Sequence, residues 1–567
     1  MSRKINYDEW SKEELIKELR RIKETKYGLV WHRDLPEEKI DVLINPDART
    51  PNEMFPNEMA GKPFPVLKEV TTKEVRTTKD GQVNLLIQGD NYHSLAVLNF
   101  THQETVDLIY IDPPYNTGND DFIYNDKIKS DYVKRDDPFR HSKWLAFMEK
   151  RLKLSKNLLK KTGVIFISID DNEFAQLKLL CDEIFDENNF IIDAIWNSRK
   201  SVSSDAIVSL NHNHTLLYAK DATVLREIVK KNIRFKLQTK QEKFENPDND
   251  PRGPWTADPF DAPNIRPNLT YPIKNNKTGK VYMPPKGRCW RTTKEQYEGF
   301  LKEGRIVFGK NGTSKPQLKR YLSEAEKKGL TPKSIWDDVG TTTNGTQELE
   351  EILGEKKFNN PKPVSLIKRI LDLATDKDGV VLDFMAGSGT TGHAVLAANK
   401  EDGGNRRFIL CTNNENNICT DVCYPRIKKV IQGYKNINGE KVAGLGGNLK
   451  YYICDFVKAE PTDRNKRKLV NESTEMLCIK ENAFELVQDK GDLKIFKNSE
   501  KYLGIVFYEE AIDDYKKAIG KIKGHFNTYV FSLGDDPHEK RFEDVKDKVS
   551  LCAIPEVVLK VYREIFK

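Results

Sequence analysis

One short stretch constrains the fold of this chain more than any other: an apolar run over residues 107–111 that stops at Asp112-Pro113-Pro114-Tyr115. The run is typical of a buried parallel strand, and the two prolines cannot extend its hydrogen-bond ladder. Open α/β sheets bind ligands at the carboxyl ends of such strands. There, an acid and a carbonyl can accept hydrogen bonds from a planar amino-bearing group while the aromatic ring stacks on its face. A plain strand end with a Pro-Pro turn is the alternative interpretation.

The segments on both sides of this stretch alternate between strand and helix patterns. Strands are predicted over residues 83–87, 163–170, 190–196, 379–383 and 407–412, with helical patterns between them. The alternation predicts an α/β fold with a doubly wound, mostly parallel sheet of the Rossmann type.

The two ends of the chain carry other patterns. Ser11 followed by Glu14 is a capping-box signature that starts a short docking helix, and residues 45–65 are expected to form an irregular arm. Residues 456–567 are expected to form an α+β domain ending in an apolar helix over 557–566.

The positive charge of the chain is concentrated in one segment. Residues 199–340 carry 28 Lys and Arg against 16 Asp and Glu, a net charge of +12, while the remainder carries 65 against 70, a net charge of −5. Such a concentration is the footprint of a polyanion-binding module, here an inserted domain of short strands and loops. Arg288, Trp290 and Arg291 are candidates for stacking or phosphate contact, with burial of Trp290 in a core as the alternative.

Several classes of protein are disfavoured by composition. No run of about 18 apolar residues occurs, so no membrane span is expected. Eight cysteines without a repeating framework, and no signal-peptide pattern, favour a reducing cytoplasm. His212 and His214 have the spacing of a metal pair, but the sequence places no third ligand, so a structural role and no metal are expected.

A glycine-rich turn between a predicted strand and helix forms the second motif. Gly387 and Gly389, within residues 383–391, let the backbone approach a ligand that helix N–H groups face. The turn lacks the third glycine of a dinucleotide site and the Gly-Lys-Ser/Thr of a phosphate loop. By itself, such a turn is equally consistent with a plain helix start.

Together, the two motifs resemble those of amino-group DNA methyltransferases that use S-adenosylmethionine. The matching positions are Asp112-Pro113-Pro114-Tyr115-Asn116-Thr117-Gly118 and Phe384-x-x-Gly387-Ser388-Gly389. The catalytic motif comes first and the cofactor motif last, with the basic insertion between them, which is the permuted order called the beta class. Further stretches, residues 141–144, 361–365, 531–534 and 554–556, resemble the modification subunit of type III restriction–modification systems.

The resemblance implies methyl transfer from S-adenosylmethionine to N6 of an adenine flipped out of DNA. Asp112 and the Pro113 carbonyl would accept hydrogen bonds from N6, Pro114 would complete the turn, and Tyr115 would stack on the base. The residues that would wrap the cofactor are Asp383, Phe384, Ala386, Gly387, Ser388, Gly389, Thr390 and Thr391.

Other candidates lie outside the two motifs. Glu415 is placed to bind ribose hydroxyls, Asp90 to face the cofactor and Lys362 to meet the methionine carboxylate, with surface or capping roles as the alternatives. Asn116 and Tyr124, in a long polar loop, are candidates for DNA contact.

The resemblance also divides the chain and suggests partners. Its segments are an N-terminal helix and arm (1–82), a catalytic half (83–198), a target-recognition domain (199–344), a cofactor half (345–455) and a C-terminal domain (456–567). Double-stranded DNA, a second copy of the chain and a restriction helicase–nuclease subunit are the expected partners. The alternatives are a solitary adenine methyltransferase, a cytosine-N4 methyltransferase, a subunit that mainly recognises DNA, and an enzyme acting on RNA or protein.

Overall fold

The computed structural model describes residues 11–16, 64–78, 82–118, 134–202, 206–231, 234–237, 241–309, 312–458, 462–531 and 538–554. The chain divides into two compact units. One comprises residues 1–226 with 333–567, and the other comprises residues 227–332.

The first unit is built on an 11-stranded sheet. Its strands are β1 (Phe64–Glu69), β2 (Val75–Arg76), β3 (Val83–Gln88), β4 (Val106–Ile111), β5 (Leu159–Ile169), β6 (Phe190–Asn197), β7 (His212–Ala219), β8 (Ile335–Trp336), β9 (Val380–Asp383), β10 (Arg407–Thr412) and β11 (Asn448–Val457). Their order is β1-β11-β3-β10-β9-β4-β5-β7-β6-β8, with β2 on β11. The six strands from β11 to β5 pair in parallel, which confirms the predicted doubly wound, mostly parallel sheet.

Helices connect most of these strands. They are α1 (Asn91–Thr101), α2 (Arg140–Leu158), α3 (Phe174–Phe185), α4 (Ala222–Lys230), α5 (Thr342–Leu353), α6 (Val364–Ala374), α7 (Thr390–Asp402) and α8 (Tyr424–Gln432). A hairpin of Gly433–Lys435 and Lys441–Ala443 precedes β11.

Strand β4 is buried along its whole length, as its apolar run predicts. The one acid in the strand, Asp107, has a specific role. Its Oδ2 atom accepts hydrogen bonds from the Val380 N–H at 3.0 Å and from Lys160 Nζ at 2.8 Å. Because Val380 begins β9, this carboxylate joins two strands that are far apart in the chain.

The C-terminal segment has the expected α+β composition. Helices Asp463–Glu481 and Ile512–Gly520 accompany a five-stranded sheet of Glu485–Asp489, Leu493–Lys497, Tyr502–Val506, Phe526–Val530 and Val549–Leu551. Side chains from this segment, including Leu477 and Phe531, share one hydrophobic core with β4 and β9. The segment therefore packs as part of the first unit.

Two strands lie on the other side of the boundaries drawn from the sequence. Residues 199–344 are expected to form one inserted domain, but β7 and β8 belong to the large sheet. Strand β7 is antiparallel to both β5 and β6, and β8 is parallel to β6. The apolar residues of β7, Leu216–Ala219, are buried there. The inserted compact unit is shorter, residues 227–332, and within it Lys and Arg number 23 against 12 Asp and Glu.

The second unit consists of short strands and loops, as predicted. Its strands are Trp255–Pro259, Asp261–Pro263, Ile273–Lys274, Val281–Tyr282, Arg288–Trp290, Ile306–Val307 and Gln317–Tyr321, and its helices include Lys294–Lys302 and Leu322–Lys328. A core of mainly aromatic side chains holds it together: Phe260, Tyr271, Ile273, Tyr282, Trp290, Tyr297 and Ile306.

At the N-terminus, the predicted capping box is present. The Glu14 N–H donates to Ser11 Oγ at 3.2 Å, and the Ser11 N–H donates to Glu14 Oε2 at 2.6 Å. The irregular arm up to residue 63 and the apolar helix over 557–566 lie outside the described residues. Within the described ranges, no helix combines the length and apolar character needed to cross a membrane. All eight cysteines are described, and all are free.

The bond from Asp107 to Val380 predicts a measurable stability difference. Replacing Asp107 with Ala leaves the buried Val380 N–H without its acceptor, which should cost about 1–3 kcal/mol of unfolding free energy. Denaturant unfolding followed by circular dichroism measures the loss. Asp107→Asn is the matched control, because an amide oxygen can still accept from Val380 and should retain most of the stability. Equal losses in both variants would contradict the role of the hydrogen bond.

Candidate active site

The two motifs meet because their strands are neighbours. Strand β9 pairs in parallel with β4, Leu382 lying opposite Ile109. The carboxyl ends of parallel strands share one edge of a sheet, so Asp112 and Asp383 emerge side by side although 271 residues separate them. This edge is the candidate active site.

The carboxylate of Asp112 is bound on both oxygens. The Tyr115 hydroxyl donates to Oδ1 at 2.9 Å, and Lys362 Nζ lies 2.5 Å from Oδ2. The Asp112 side chain is 29% exposed, whereas that of Lys362 is 9% exposed. Burial lowers the pKa of Lys362, but the charge and hydrogen bond of Asp112, together with the nearby Tyr110 and Asp170, outweigh burial and raise that pKa. A buried cation therefore faces the candidate catalytic acid.

Contacts from other elements position the Pro-Pro turn. The Trp144 indole N–H donates to the Pro114 carbonyl at 2.7 Å, and Asn213 Nδ2 donates to the Tyr115 hydroxyl at 3.3 Å. Burial and the adjacent Asp112 raise the pKa of Tyr115 well above its ordinary value, so its hydroxyl stays protonated. The Lys362 ammonium lies 5.1 Å from the centre of the Tyr115 ring.

Asn116 makes buried structural contacts in this arrangement, and its role in DNA contact stays a prediction. The side chain is 1% exposed, with φ at +55°. Its Nδ2 donates to the Glu173 carboxylate and to the Arg140 carbonyl, so it anchors the start of the polar loop to α2 and α3. Glu173 is fully buried, and burial raises its pKa, although His141 Nδ1 lies 2.7 Å away. Tyr124, the other loop candidate, lies outside the described residues.

The glycine-rich turn adopts a conformation that favours glycine. Gly387 has φ of +47° and Gly389 has φ of +78°. A Cβ atom at Gly389 would lie 3.0 Å from Cys423 Sγ, so a larger residue there would also be crowded.

Asp383 ties this turn to the start of α7. Its Oδ1 accepts from the Met385 N–H at 3.0 Å, and its Oδ2 accepts from Thr391 Oγ1 at 2.5 Å. Burial raises the pKa of Asp383 to about 7, although these hydrogen bonds lower it.

A buried arginine supports the same turn. Arg426, on α8, is fully buried and donates to Thr390 Oγ1 at 2.8 Å and to the Ser388 carbonyl at 3.4 Å. Thr390 Oγ1 in turn donates to the Lys362 carbonyl at 3.2 Å. The turn is thus connected to the residue that pairs with Asp112. Phe384 and Ala386 are both buried, and Phe384 packs in the large hydrophobic core.

The remaining cofactor candidates lie at the same sheet edge. Asp90 follows β3 and caps α1, its Oδ1 accepting from the Tyr92 N–H at 2.7 Å and from Arg151 at 3.2 Å. Glu415 follows β10 in a short turn, half-buried, with Asn413 Nδ2 3.4 Å from its Oε2. The helix-capping role, which the sequence allowed as the alternative for Asp90, is therefore present at the start of α1.

The DNA-contact candidates in the second unit differ in exposure. Trp290 is fully buried, and its indole N–H donates to the Tyr271 carbonyl at 2.6 Å, so it lies in the core and has no face open to a base. Arg288 pairs with Asp261 and Arg291 lies 3.7 Å from Asp258, and each guanidinium side chain remains about 40% exposed. The alternative interpretation of Trp290, burial in a core, is therefore the one that the structure shows.

Four residues that shape the site were not identified from the sequence: Trp144, Glu173, Asn213 and Arg426. Arg426 is the one of these with a recognisable sequence signal, because this cation lies next to the apolar helical pattern of Ile427 and Val430. The partners of the other three come from distant segments, so local patterns do not reveal them.

Comparisons with known proteins agree with this geometry. Residues 106–422 match the family described as DNA methylase, and the chain belongs to that family. It is similar to the type III restriction-modification enzyme StyLTI Mod subunit of Salmonella typhimurium, with 40% identity over 58% of this chain and 52% of that protein. It is also similar to the EcoPI Mod subunit of Escherichia phage P1, with 33% identity over 62% and 61%. The type II methyltransferase M.KpnI of Klebsiella pneumoniae is 34% identical over 65% of this chain and 87% of that protein. The chain thus spans 52% and 61% of the lengths of these two Mod subunits.

The raised pKa of Asp383 predicts a pH dependence of stability. The ordinary pKa of 3.8 applies in the unfolded chain and a value of about 7 in the folded one. The folded state therefore holds a proton that the unfolded state loses between these values. This contribution is present below about pH 4 and is lost as the pH rises through 7, amounting to roughly 4 kcal/mol.

Comparison with Asp383→Asn isolates this effect, because the amide does not titrate. Between pH 4 and pH 7.5, the unfolding free energy of the wild type should fall relative to the variant, as measured by urea denaturation at each pH. Parallel pH profiles for the two proteins would refute the assignment.

Proposed function

We propose that this protein is a site-specific DNA methyltransferase that transfers the methyl group of S-adenosylmethionine to N6 of adenine. The observation that carries the proposal is the juxtaposition of Asp112-Pro113-Pro114-Tyr115 with the Gly387–Gly389 turn at adjacent strand ends. Membership of the DNA methylase family supports it, as does similarity to Mod subunits and a type II methyltransferase.

The residues at this edge fit the cofactor. The positive-φ glycines bring main chain to the site at the start of α7, which spans 13 residues, and a helix start favours a negatively charged group. Lys362 supplies a cation suited to a carboxylate, while Glu415 and Asp90, following β10 and β3, supply acceptors suited to ribose hydroxyls. When bound, S-adenosylmethionine supplies an electrophilic methyl group on a sulfonium.

Asp112 is the proposed catalytic residue. The N6 lone pair of adenine is delocalised into the ring, so it is a poor nucleophile. Asp112 and the Pro113 carbonyl accept hydrogen bonds from the two N–H groups of N6. These hydrogen bonds favour the pyramidal geometry that develops in the transition state. An ionised carboxylate offers about four acceptor positions, so the bonds from Tyr115 and Lys362 leave Asp112 capacity for the base.

Tyr115 and the elements behind it hold the base in place. A base inside the duplex cannot reach this edge, so the adenine is extruded and stacks on the Tyr115 ring. Trp144 fixes the turn through the Pro114 carbonyl, and Asn213 holds the Tyr115 hydroxyl. These contacts supply the orientation on which proximity catalysis depends.

We further propose that the chain is the modification and recognition subunit of a type III restriction–modification assembly. It would act as a homodimer with a separate restriction helicase–nuclease subunit. Similarity to the StyLTI and EcoPI Mod subunits supports this role. Coverage of 87% of M.KpnI favours a second candidate, a solitary adenine methyltransferase. Co-purification with an ATP-dependent nuclease supports the first candidate, and a stable homodimer without that partner supports the second.

The role of Asp112 predicts a specific loss of activity. Asp112→Ala removes a transition-state acceptor and should lower kcat by about 10²–10³-fold or more, while the Kd for duplex DNA changes by less than about twofold. Mass analysis of nucleosides from methylated DNA measures the product, and a filter-binding assay measures the Kd.

Asp378→Ala is the matched control, since it removes an exposed acid at the opposite end of β9 and should leave turnover unchanged. Retained turnover in Asp112→Ala would defeat the catalytic role. Formation of N4-methylcytosine in place of N6-methyladenine would overturn the choice of base.

The basic unit, residues 227–332, is the proposed target-recognition domain, with Arg288 and Arg291 on phosphates. Arg288→Gln and Arg291→Gln should each weaken binding about equally on all DNA sequences and reduce the slope of log K against log salt by about 1. Fluorescence anisotropy at several salt concentrations measures this slope. Lys490→Gln, which removes an exposed cation from the other unit, should leave the slope unchanged. A changed base preference with an unchanged slope would contradict phosphate contact.

A further inference from the structure

Two histidines and two acids meet beside the start of β7, and the proposed methyl transfer uses none of them. His212 and His214 are two residues apart on this strand, so they point to the same face of the sheet, and Asn213 points to the other. Asp171 follows β5, and Asp193 lies on β6. The sequence identified the histidine pair but placed no third ligand, because Asp171 comes from another strand end.

The ring of His214 is held in one orientation. Its Nδ1 lies 2.8 Å from Asp193 Oδ2, and Phe174 stacks on the ring with centroids 3.9 Å apart. A carboxylate that holds Nδ1 and orients the ring is an arrangement typical of metal-binding histidines. Nε2 points towards Asp171, whose Oδ1 is 3.2 Å away.

We propose that Asp171, His212 and His214 bind a divalent transition-metal ion of the Zn²⁺ type. One ligand atom from each residue lies within 4.8 Å of the others. Two imidazoles and a carboxylate are a donor set that Zn²⁺ accepts, with bonds of about 2.0–2.2 Å. Tetrahedral bonds of that length place ligand atoms about 3.4 Å apart, so a small closure completes the site. Asp171 can make this movement because its side chain is 50% exposed.

The ion would join three strands and reach the active site through Asn213. The ligands and Asp193 come from β5, β6 and β7, which are adjacent in the sheet. Asn213, between the two histidines, donates to the Tyr115 hydroxyl and accepts from Ser198 Oγ at 2.7 Å. A metal that holds the start of β7 therefore positions Asn213, and through it Tyr115.

The test measures Zn²⁺ bound to the whole chain. After equilibration with Zn²⁺ and removal of the excess, elemental analysis should find one site-specific ion per wild-type chain, and titration calorimetry gives its affinity. His212→Gln should weaken that affinity by at least tenfold. Asp193→Asn, which alters only the partner of the His214 ring, should weaken it by about 10–100-fold. His525→Gln is the control, because it removes an exposed histidine just before the strand Phe526–Val530 and should change nothing.

A second measurement separates loss of the site from loss of the fold. Zn²⁺ should raise the melting temperature of the wild type and of His525→Gln but not that of His212→Gln, whose melting temperature without Zn²⁺ should match the wild type. Equal Zn²⁺ affinity in the wild type and His212→Gln would overturn the proposal, as would no specific binding by the wild type. Neither readout depends on methyltransferase activity, so this inference and the proposed function can fail separately.

Discussion

The parallel pairing of β4 with β9 is the constraint on which the rest of this structure depends. A parallel ladder aligns strand ends without regard to chain order, so two motifs 271 residues apart reach one edge of the sheet. The buried Asp107 carboxylate reinforces this pairing through the Val380 N–H. The basic unit, residues 227–332, is inserted in the chain between these two strands. Both of its ends lie outside the residues that pair β4 with β9, so the insertion leaves their register intact.

Two carboxylates at this edge have different electrostatic environments, which suits them to different tasks. Asp112 is paired with the Lys362 cation and accepts a hydrogen bond from the Tyr115 hydroxyl. Asp383 receives hydrogen bonds from neutral donors, and burial dominates, so its pKa rises to about 7. In the proposed reaction, the first accepts a hydrogen bond from the substrate amino group. The second closes the glycine turn without placing a full charge in the core.

The positively charged unit, residues 227–332, has a core of mainly aromatic side chains. Trp290 belongs to that core. Arg288, on the same strand as Trp290, and Arg291, directly after that strand, keep their charge at the surface, where phosphates can be bound. Sequence alone could not separate these neighbours, because Arg288, Trp290 and Arg291 are almost consecutive and only the packing assigns each to the interior or the exterior.

The sequence by itself determined six strands of the large sheet, the Pro-Pro and glycine turns, the capping box and the resemblance to amino-group DNA methyltransferases. Each of these is recorded in local patterns: apolar runs, residues with restricted backbone angles, and short motifs. Only the tertiary structure decided that Lys362 pairs with Asp112, that Arg426 supports Thr390, that β7 belongs to the large sheet and that Asp171 joins the two histidines. In each case the partners lie on elements far apart in the chain or on different strands. The energies of burial and hydrogen bonding that select them arise only when those elements pack together.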